Sequence, residues 1–242
     1  TRIEQATADL IVQATNETTG SLLVFLPGEG EIRRTEAALA NRLPPDCVIR
    51  PLYGALPFAA QRAAIAPVKQ GRKVVLSTSI AETSLTIEGI KTVVDSGFSR
   101  VPRYNPRTGL RSLETVEVTK AAADQRAGRA GRLGPGVCYR LWETRAHAHR
   151  IEHRIPEILQ TDLSGLVLEL AQWGVSDPLA LDWPTPPIPA GIVDAQQLLE
   201  RLGALADRKI TQRGREMLRL PAHPRIARLL VEGKARGLSG LA

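Results

Sequence analysis

Short apolar runs rich in β-branched residues recur through the first 140 residues, separated by longer Ala-rich stretches. Ser21-Leu22-Leu23-Val24-Phe25-Leu26 reads as a buried strand closed by Pro27-Gly28. Cys47-Val48-Ile49-Arg50-Pro51-Leu52, Lys73-Val74-Val75-Leu76-Ser77-Thr78 and Lys91-Thr92-Val93-Val94-Asp95 read as three more. Helices are predicted between them, from about Glu31 to Arg42 and from Phe58 to Gln70. Strands that are apolar on both faces and alternate with helices imply a mostly parallel sheet covered on both sides, an α/β class. Between Gly97 and Thr119 the pattern changes. The turn-rich Arg103–Gly109 and the alternation Val116-Glu117-Val118 predict an antiparallel β-hairpin added to that sheet. Lys120 to Gly131 then reads as a small-residue helix and Val137 to Trp142 as a closing strand.

After Glu143 the style changes again, which places a boundary near 143–155. Leu159, Leu163, Leu166, Leu170 and Trp173 recur at helical spacing and stop at Gly174. The connector Pro184-Thr185-Pro186-Pro187-Ile188-Pro189 reads as non-helical. Val193 to Leu205 is a second helix. Ala206 to Thr211 reads as a short wing before another helix, which suggests a mainly helical winged-helix domain. The expected partition is therefore 1–145, 146–220 and 221–242, the last beginning a further helical domain. A chain that opens on Thr1 and ends within a helix is expected to be a segment of a longer protein.

Composition changes this picture only at the edges. With 43% hydrophobic and 24% charged residues among 242, the chain is neither disordered, collagenous nor coiled coil. No apolar run approaches the ~18 residues of a membrane span, so no membrane partner is expected. Two separated thiols, Cys47 and Cys138, suit a reducing cytoplasm better than a disulfide scaffold. The net charge of +7 is unevenly spread: residues 1–99 are balanced, 100–132 carry +5, 133–154 carry +2, 155–207 carry −7 and 208–242 carry +7. Basic blocks of this kind are the footprint of a polyanion partner.

The sharpest chemical signal is Gln125-Arg126-Ala127-Gly128-Arg129-Ala130-Gly131-Arg132. On a continuous helix Gln125, Arg129 and Arg132 form one stripe. Gly128 and Gly131 would clear the space beside it, at about 1 kcal/mol each relative to Ala. Two guanidiniums and an amide on one stripe suit an anion with several oxygens, such as a triphosphate.

That octapeptide resembles motif VI of superfamily 2 helicases, in the form carried by the DEAH/RHA group. Thr78-Ser79-Ile80-Ala81-Glu82-Thr83-Ser84-Leu85-Thr86-Ile87 resembles motif V, Leu23 to Gly28 motif IV, and Pro51 to Pro57 the stretch that follows it. Phe25 to Ile32, Asp95-Ser96-Gly97 and Asn105 to Leu110 look most similar to a bacterial, HrpB-like branch. Pro156-Glu157-Ile158, Thr161-Asp162-Leu163 and Leu202 to Leu205 resemble the winged helix of these helicases.

The resemblance implies that the chain is the second RecA-like domain and winged helix of an ATP-dependent nucleic-acid helicase, with RNA the expected substrate. Neither a GxxxxGK[ST] loop nor an Asp-Glu dipeptide occurs, so the P-loop and the Mg²⁺ ligands are expected in a first RecA-like domain of the same longer chain. Alone, this chain is expected to be inactive as an ATPase. By resemblance Arg129 and Arg132 are arginine fingers, and Gln125 contacts the γ-phosphate or the attacking water. Glu88 stands where some relatives contact ribose, and Ile65 where eukaryotic relatives stack an aromatic on adenine. Thr78, Ser84 and Thr86 are expected on the phosphates of single-stranded RNA or DNA, with Arg103, Arg107 and Arg111 of the hairpin tracking the same strand. Ser79 replaces the usual Asn of motif V. His147, His149 and His153 are not expected to bind metal. The rival reading is a non-enzymatic winged-helix module on duplex DNA, against which the acidic block 155–207 argues.

Overall fold

The computed structural model describes residues 2–68, 70–83, 85–105, 110–132 and 134–238. The chain forms two compact units, one from Thr1–Pro102 with Leu113–Arg154 and the other from Arg103–Ser112 with Ile155–Ala242.

Up to residue 154 the chain runs α1 (Ile3–Glu17), β1 (Ser21–Phe25), α2 (Glu29–Ala38), β2 (Cys47–Leu52), α3 (Phe58–Ile65), β3 (Arg72–Ser77), β4 (Ile90–Asp95), β5 (Phe98–Asn105), β6 (Leu110–Glu117), α4 (Lys120–Ala127), β7 (Val137–Arg140) and α5 (Thr144–His149), with all of these but the tip of the β5–β6 pair in the first unit. Five strands make a wholly parallel sheet in the order β2-β3-β1-β4-β7. Central β1 shows why its sequence is apolar throughout. Leu22 and Val24 face a core built with Ala8, Ile11 and Ala14 of α1 and Ile32 of α2. Leu23 and Phe25 face the opposite core, with Ala64 of α3 and with Ala81, Ile87 and Ala130. A strand between two cores loses the polar alternation of a one-sided sheet. The strands end level with one another: Ser77 aligns with both Phe25 and Leu52, and Asp95 with both Phe25 and Arg140.

Three expectations need correction. The predicted helix through Gln70 stops at Ile65, because Ala66 precedes Pro67 and turns extended, at φ −57° and ψ 146°. The helix predicted to reach Gly131 stops at Ala127, and 128–131 form a turn. The glycines of the octapeptide therefore lie at the end of α4 and in the turn after it, not in a helix interior where each would cost about 1 kcal/mol. Finally, β5 and β6 form a separate two-stranded sheet instead of extending the large one. Gly97, at φ +83°, turns the chain out of the sheet directly after β4, in a conformation that favours glycine. Helix α1 carries no prediction in the sequence; its buried face mixes Thr7 and Thr15 with Ala8, Ile11 and Ala14.

The second unit contains α6 (Ser164–Gln172), α7 (Pro189–Arg201), β8 (Leu205–Ala206), β9 (Lys209–Ile210), α8 (Gln212–Leu218) and α9 (Pro224–Ala235). Its core gathers Val167, Leu168, Ile192, Leu199, Ala204 and Met217. Helix α7 begins earlier than predicted because Pro189 occupies the first helical position, where a missing N–H costs nothing. Strands β8 and β9 pair antiparallel across Asp207 and Arg208, both at positive φ.

Candidate functional site

Three arginines of the octapeptide meet three different environments. Arg126, on the last turn of α4, is fully buried. Its guanidinium donates to Glu82 Oε1 at 2.5 and 2.8 Å, to Asp95 Oδ1 at 2.8 Å and to the Phe98 carbonyl at 3.2 Å. Its carbon centre lies 4.8 Å from the Phe25 ring centroid. Asp95 ends β4 and Glu82 lies in the β3–β4 connection, so one side chain joins α4, the sheet and that connection. Glu82 also pairs with Arg154 at 3.4 Å.

Arg129 lies in the turn after α4 and is partly buried. It donates to the Glu82 carbonyl and to the Leu85 carbonyl at 3.3 Å. Burial, and then the neighbouring positive charge of Arg132, lower its proton affinity below the usual arginine range. Arg132 is exposed. Arg129 and Arg132 line a small, solvent-open cleft together with Leu23, Leu85, Thr86, Ile87 and Ile90. Gln125 is exposed on α4 and is not among the residues lining the cleft.

The β3–β4 connection explains how its two ends reach different places. Strands β3 and β4 are parallel and flank β1, so residues 78–89 must return from the carboxyl edge of the sheet to the amino edge. Thr78 starts this return at the carboxyl edge, where its N–H donates to the Leu52 carbonyl at 3.2 Å. Thr86 ends it in the cleft beside Arg129 and Arg132. The structure thus separates Thr78 from Thr86, which the sequence reading had grouped. Ser84 and Arg107 lie outside the described residues.

Glu88 is exposed in the turn before β4, and Ile65 is half-buried against the second core. Both neighbour Lys73, a fully buried cation at the start of β3. Its ammonium donates to the carbonyls of Ala64, Ile65 and Ala66 at 3.0, 3.0 and 2.7 Å, closing the C-terminus of α3. Burial lowers the Lys73 pKa, and the charge of Glu88 opposes that shift. Neither Ile65 nor Glu88 lines the cleft.

At the base of the β5–β6 pair, buried Arg150 donates to the carbonyls of Gly97 and Val118 at 3.0 and 2.9 Å and lies 4.4 Å over the Trp142 ring. Arg103 is exposed on β5. His147 stacks on Trp142, and His149 bonds the Arg145 carbonyl. Among the described residues, no three His, Cys, Asp or Glu side chains stand together as a metal site, and no helix is long and apolar enough to cross a membrane.

Arg126, Glu82, Lys73 and Arg150 were missed as site-building residues. Arg126 and Glu82 were legible in principle: both fall inside the two most distinctive segments, and on a helix Arg126 lies about 100° around from Gln125, off its stripe.

A parallel sheet with two arginines in the turn after α4, beside the returning β3–β4 connection, agrees with a RecA-like helicase domain. The chain belongs to the helicase conserved C-terminal domain family, which matches residues 4–134. It is 48% identical over 96% of its length to ATP-dependent RNA helicase HrpB of Escherichia coli (strain K12), and 37% identical over 96% to ATP-dependent RNA helicase HrpA of the same strain. It spans 29% and 18% of those two relatives. Two crystal structures of Escherichia coli HrpB, described as a DExH-box NTPase and as a DEAH/RHA helicase, match it with TM-scores of 0.87 and 0.89. Identities are 48% and 47%, covering 97% and 96% of this chain and 29% and 30% of those structures. The DEAH/RHA resemblance of the motifs is thereby shown.

Proposed function

We propose that the chain supplies the second half of the catalytic core of an ATP-dependent RNA helicase, working in the cytoplasm on single-stranded RNA. The observation that carries this reading is the cleft, which holds Thr86 from motif V together with Arg129 and Arg132 from motif VI. A hydroxyl and two guanidiniums, one of them exposed, suit the γ-phosphate of a nucleotide held by a first RecA-like domain of a longer chain. Phosphoryl transfer spreads negative charge over the γ-oxygens, and a finger that meets this charge is worth ~10³–10⁵ in rate. Arg132, facing solvent, is the side chain most ready to reach that group. Arg129 stays on the Glu82 and Leu85 carbonyls until the nucleotide competes for it, and Gln125 approaches the attacking water only as the two domains close. Mg²⁺ belongs to the other domain, since the buried carboxylates Glu82 and Asp95 are already engaged by Arg126.

Coupling follows from the returning connection. Thr78 at the carboxyl edge contacts the RNA backbone, Thr86 senses the nucleotide, and Glu82 between them is fixed to α4 by Arg126. Glu88 and Ile65, at the amino edge, approach ribose and base. Arg103 and Arg107 of the β5–β6 hairpin follow the strand. The helices and wing of 146–220 form the winged-helix domain, and 221–242 begins the next helical domain.

The test uses the longer protein that carries the P-loop domain. Arg132→Ala should lower ATPase kcat by about 10³, while RNA affinity stays within about twofold. An unchanged kcat in Arg132→Ala overturns the finger assignment.

A further inference from the structure

The first unit matches most of its cations to carboxylates: Arg34 with Glu4, Arg42 with Asp9, Arg126 with Glu82 and Asp95, and Arg140 with Asp124. The second unit does not. Arg208, Lys209, Arg213, Arg215, Arg219 and Arg225 fall within eighteen residues, and all six are exposed. Within this unit His223 pairs with Asp162, and Glu232 pairs with Arg228 and Arg236. None of the six takes part. The carboxylate inside the stretch, Glu216, is held by Gln212 at 3.4 Å instead.

The acids of 155–207, at −7, are thus kept apart from the cations of 208–242, at +7, instead of neutralising them. Unpaired like charges repel, so this arrangement stabilises nothing within the unit. The fold nonetheless fixes it rigidly. Asp207 and Arg208 sit at φ +48° and +61°, a tight turn that presents Arg208 and Lys209 at the tip of the β8–β9 pair. Thr211 then caps α8, accepting from the Gly214 N–H at 3.0 Å. A Cβ on Gly214 would collide with the Ala204 carbonyl oxygen, so α8 packs directly against the residue that leads into β8. Gly214 and Met217 face inward, which leaves Arg215 and Arg219, four residues apart, on the outer face.

We propose that the tip of the β8–β9 pair and the outer face of α8 form a second binding surface for the phosphodiester backbone of nucleic acid, separate from the motif V contacts. Its four principal contacts are Arg208, Lys209, Arg215 and Arg219. The recognition is of phosphate and is independent of base sequence.

The test is binding of the 242-residue chain to a labelled single-stranded RNA and to an RNA duplex, each across a salt series. The variant Arg208→Asn/Lys209→Ser/Arg215→Ala/Arg219→Ala should bind at least tenfold more weakly at low salt. The slope of log K against log salt should become shallower by about 2–3, since each single-strand phosphate contact contributes about 0.7. Loss on either form supports the surface and tells which form occupies it. The charge-keeping variant Arg208→Lys/Arg215→Lys/Arg219→Lys should retain the slope; a loss there as large as in the first variant would assign the effect to packing and overturn the proposal. So would equal displacement of RNA by poly-glutamate at matched charge, which would assign the surface to an acidic protein. Thr78→Val separates the two contacts. If it alone weakens binding, the second surface is wrong and the helicase reading stands; if neither variant does, the RNA reading fails with it.

Discussion

Arg126 and Arg215 are the same side chain under opposite conditions. Around Arg126 the chain has buried a guanidinium completely and given it two carboxylates, a carbonyl and an aromatic face. On α8 it has left Arg215 in solvent among five more cations and no acid partner. A buried cation must be satisfied within the protein, because an uncompensated charge in the interior costs several kcal/mol. An exposed one need not be, and a cluster left unpaired is one whose partner comes from outside. Within the first unit the gradient repeats across seven residues: Arg126 holds the fold, Arg129 holds the motif V backbone, and Arg132 is exposed.

The contrast breaks most visibly at its buried end. Arg126→Ala strands Glu82 and Asp95 in the interior without their cation, at a cost of about 3–5 kcal/mol. Urea unfolding of the first unit should show a midpoint lowered accordingly with an unchanged slope. A loss below about 1 kcal/mol would mean that water reaches both carboxylates on truncation, and that Arg126 is not the joint between α4, β4 and the returning connection.

Lys73 tests an intermediate arrangement, a buried cation satisfied by backbone alone. Lys73→Met keeps the length of the side chain and removes the donor for three carbonyls at the end of α3. The expected cost is about 1–3 kcal/mol, the penalty of unsatisfied buried acceptors. Hydrogen exchange should quicken first in the last turn of α3. A neutral or stabilising result would show that those carbonyls find water, and would move Lys73 to the exposed side of the comparison.

How much of this was legible in the sequence follows the same division. The parallel sheet was, because β1, β3 and β4 are apolar on both faces and no other arrangement buries them. The octapeptide and the motif V segment were legible as chemistry. What the sequence hid was direction. Periodicity placed Gln125, Arg129 and Arg132 on one stripe by continuing a helix that in fact ends at Ala127. It also grouped Thr78 with Thr86, since nothing local reveals that a parallel crossover carries them to opposite edges of the sheet. Lys73 looked like a polar strand start, and only the end of α3, brought to it by tertiary folding, shows what its ammonium does.

The smallest expected effect is the most discriminating for the exposed end. Arg215→Ala removes a cation that makes no ion pair, from a helix position where Ala is the better helix former. Stability of the second unit should change by no more than about 0.5 kcal/mol, as for surface positions generally. Any gain should come from relieved repulsion and should fade as salt rises, because the screening length falls from about 10 Å at 0.1 M to about 3 Å at 1 M. Thermal melting at those two salt concentrations measures both. A destabilisation beyond about 1 kcal/mol, insensitive to salt, would show Arg215 supporting α8 through its aliphatic stem. The cations of 208–225 would then belong with Arg126, as parts of the fold, and the case for a second nucleic-acid surface would lose the contrast on which it stands.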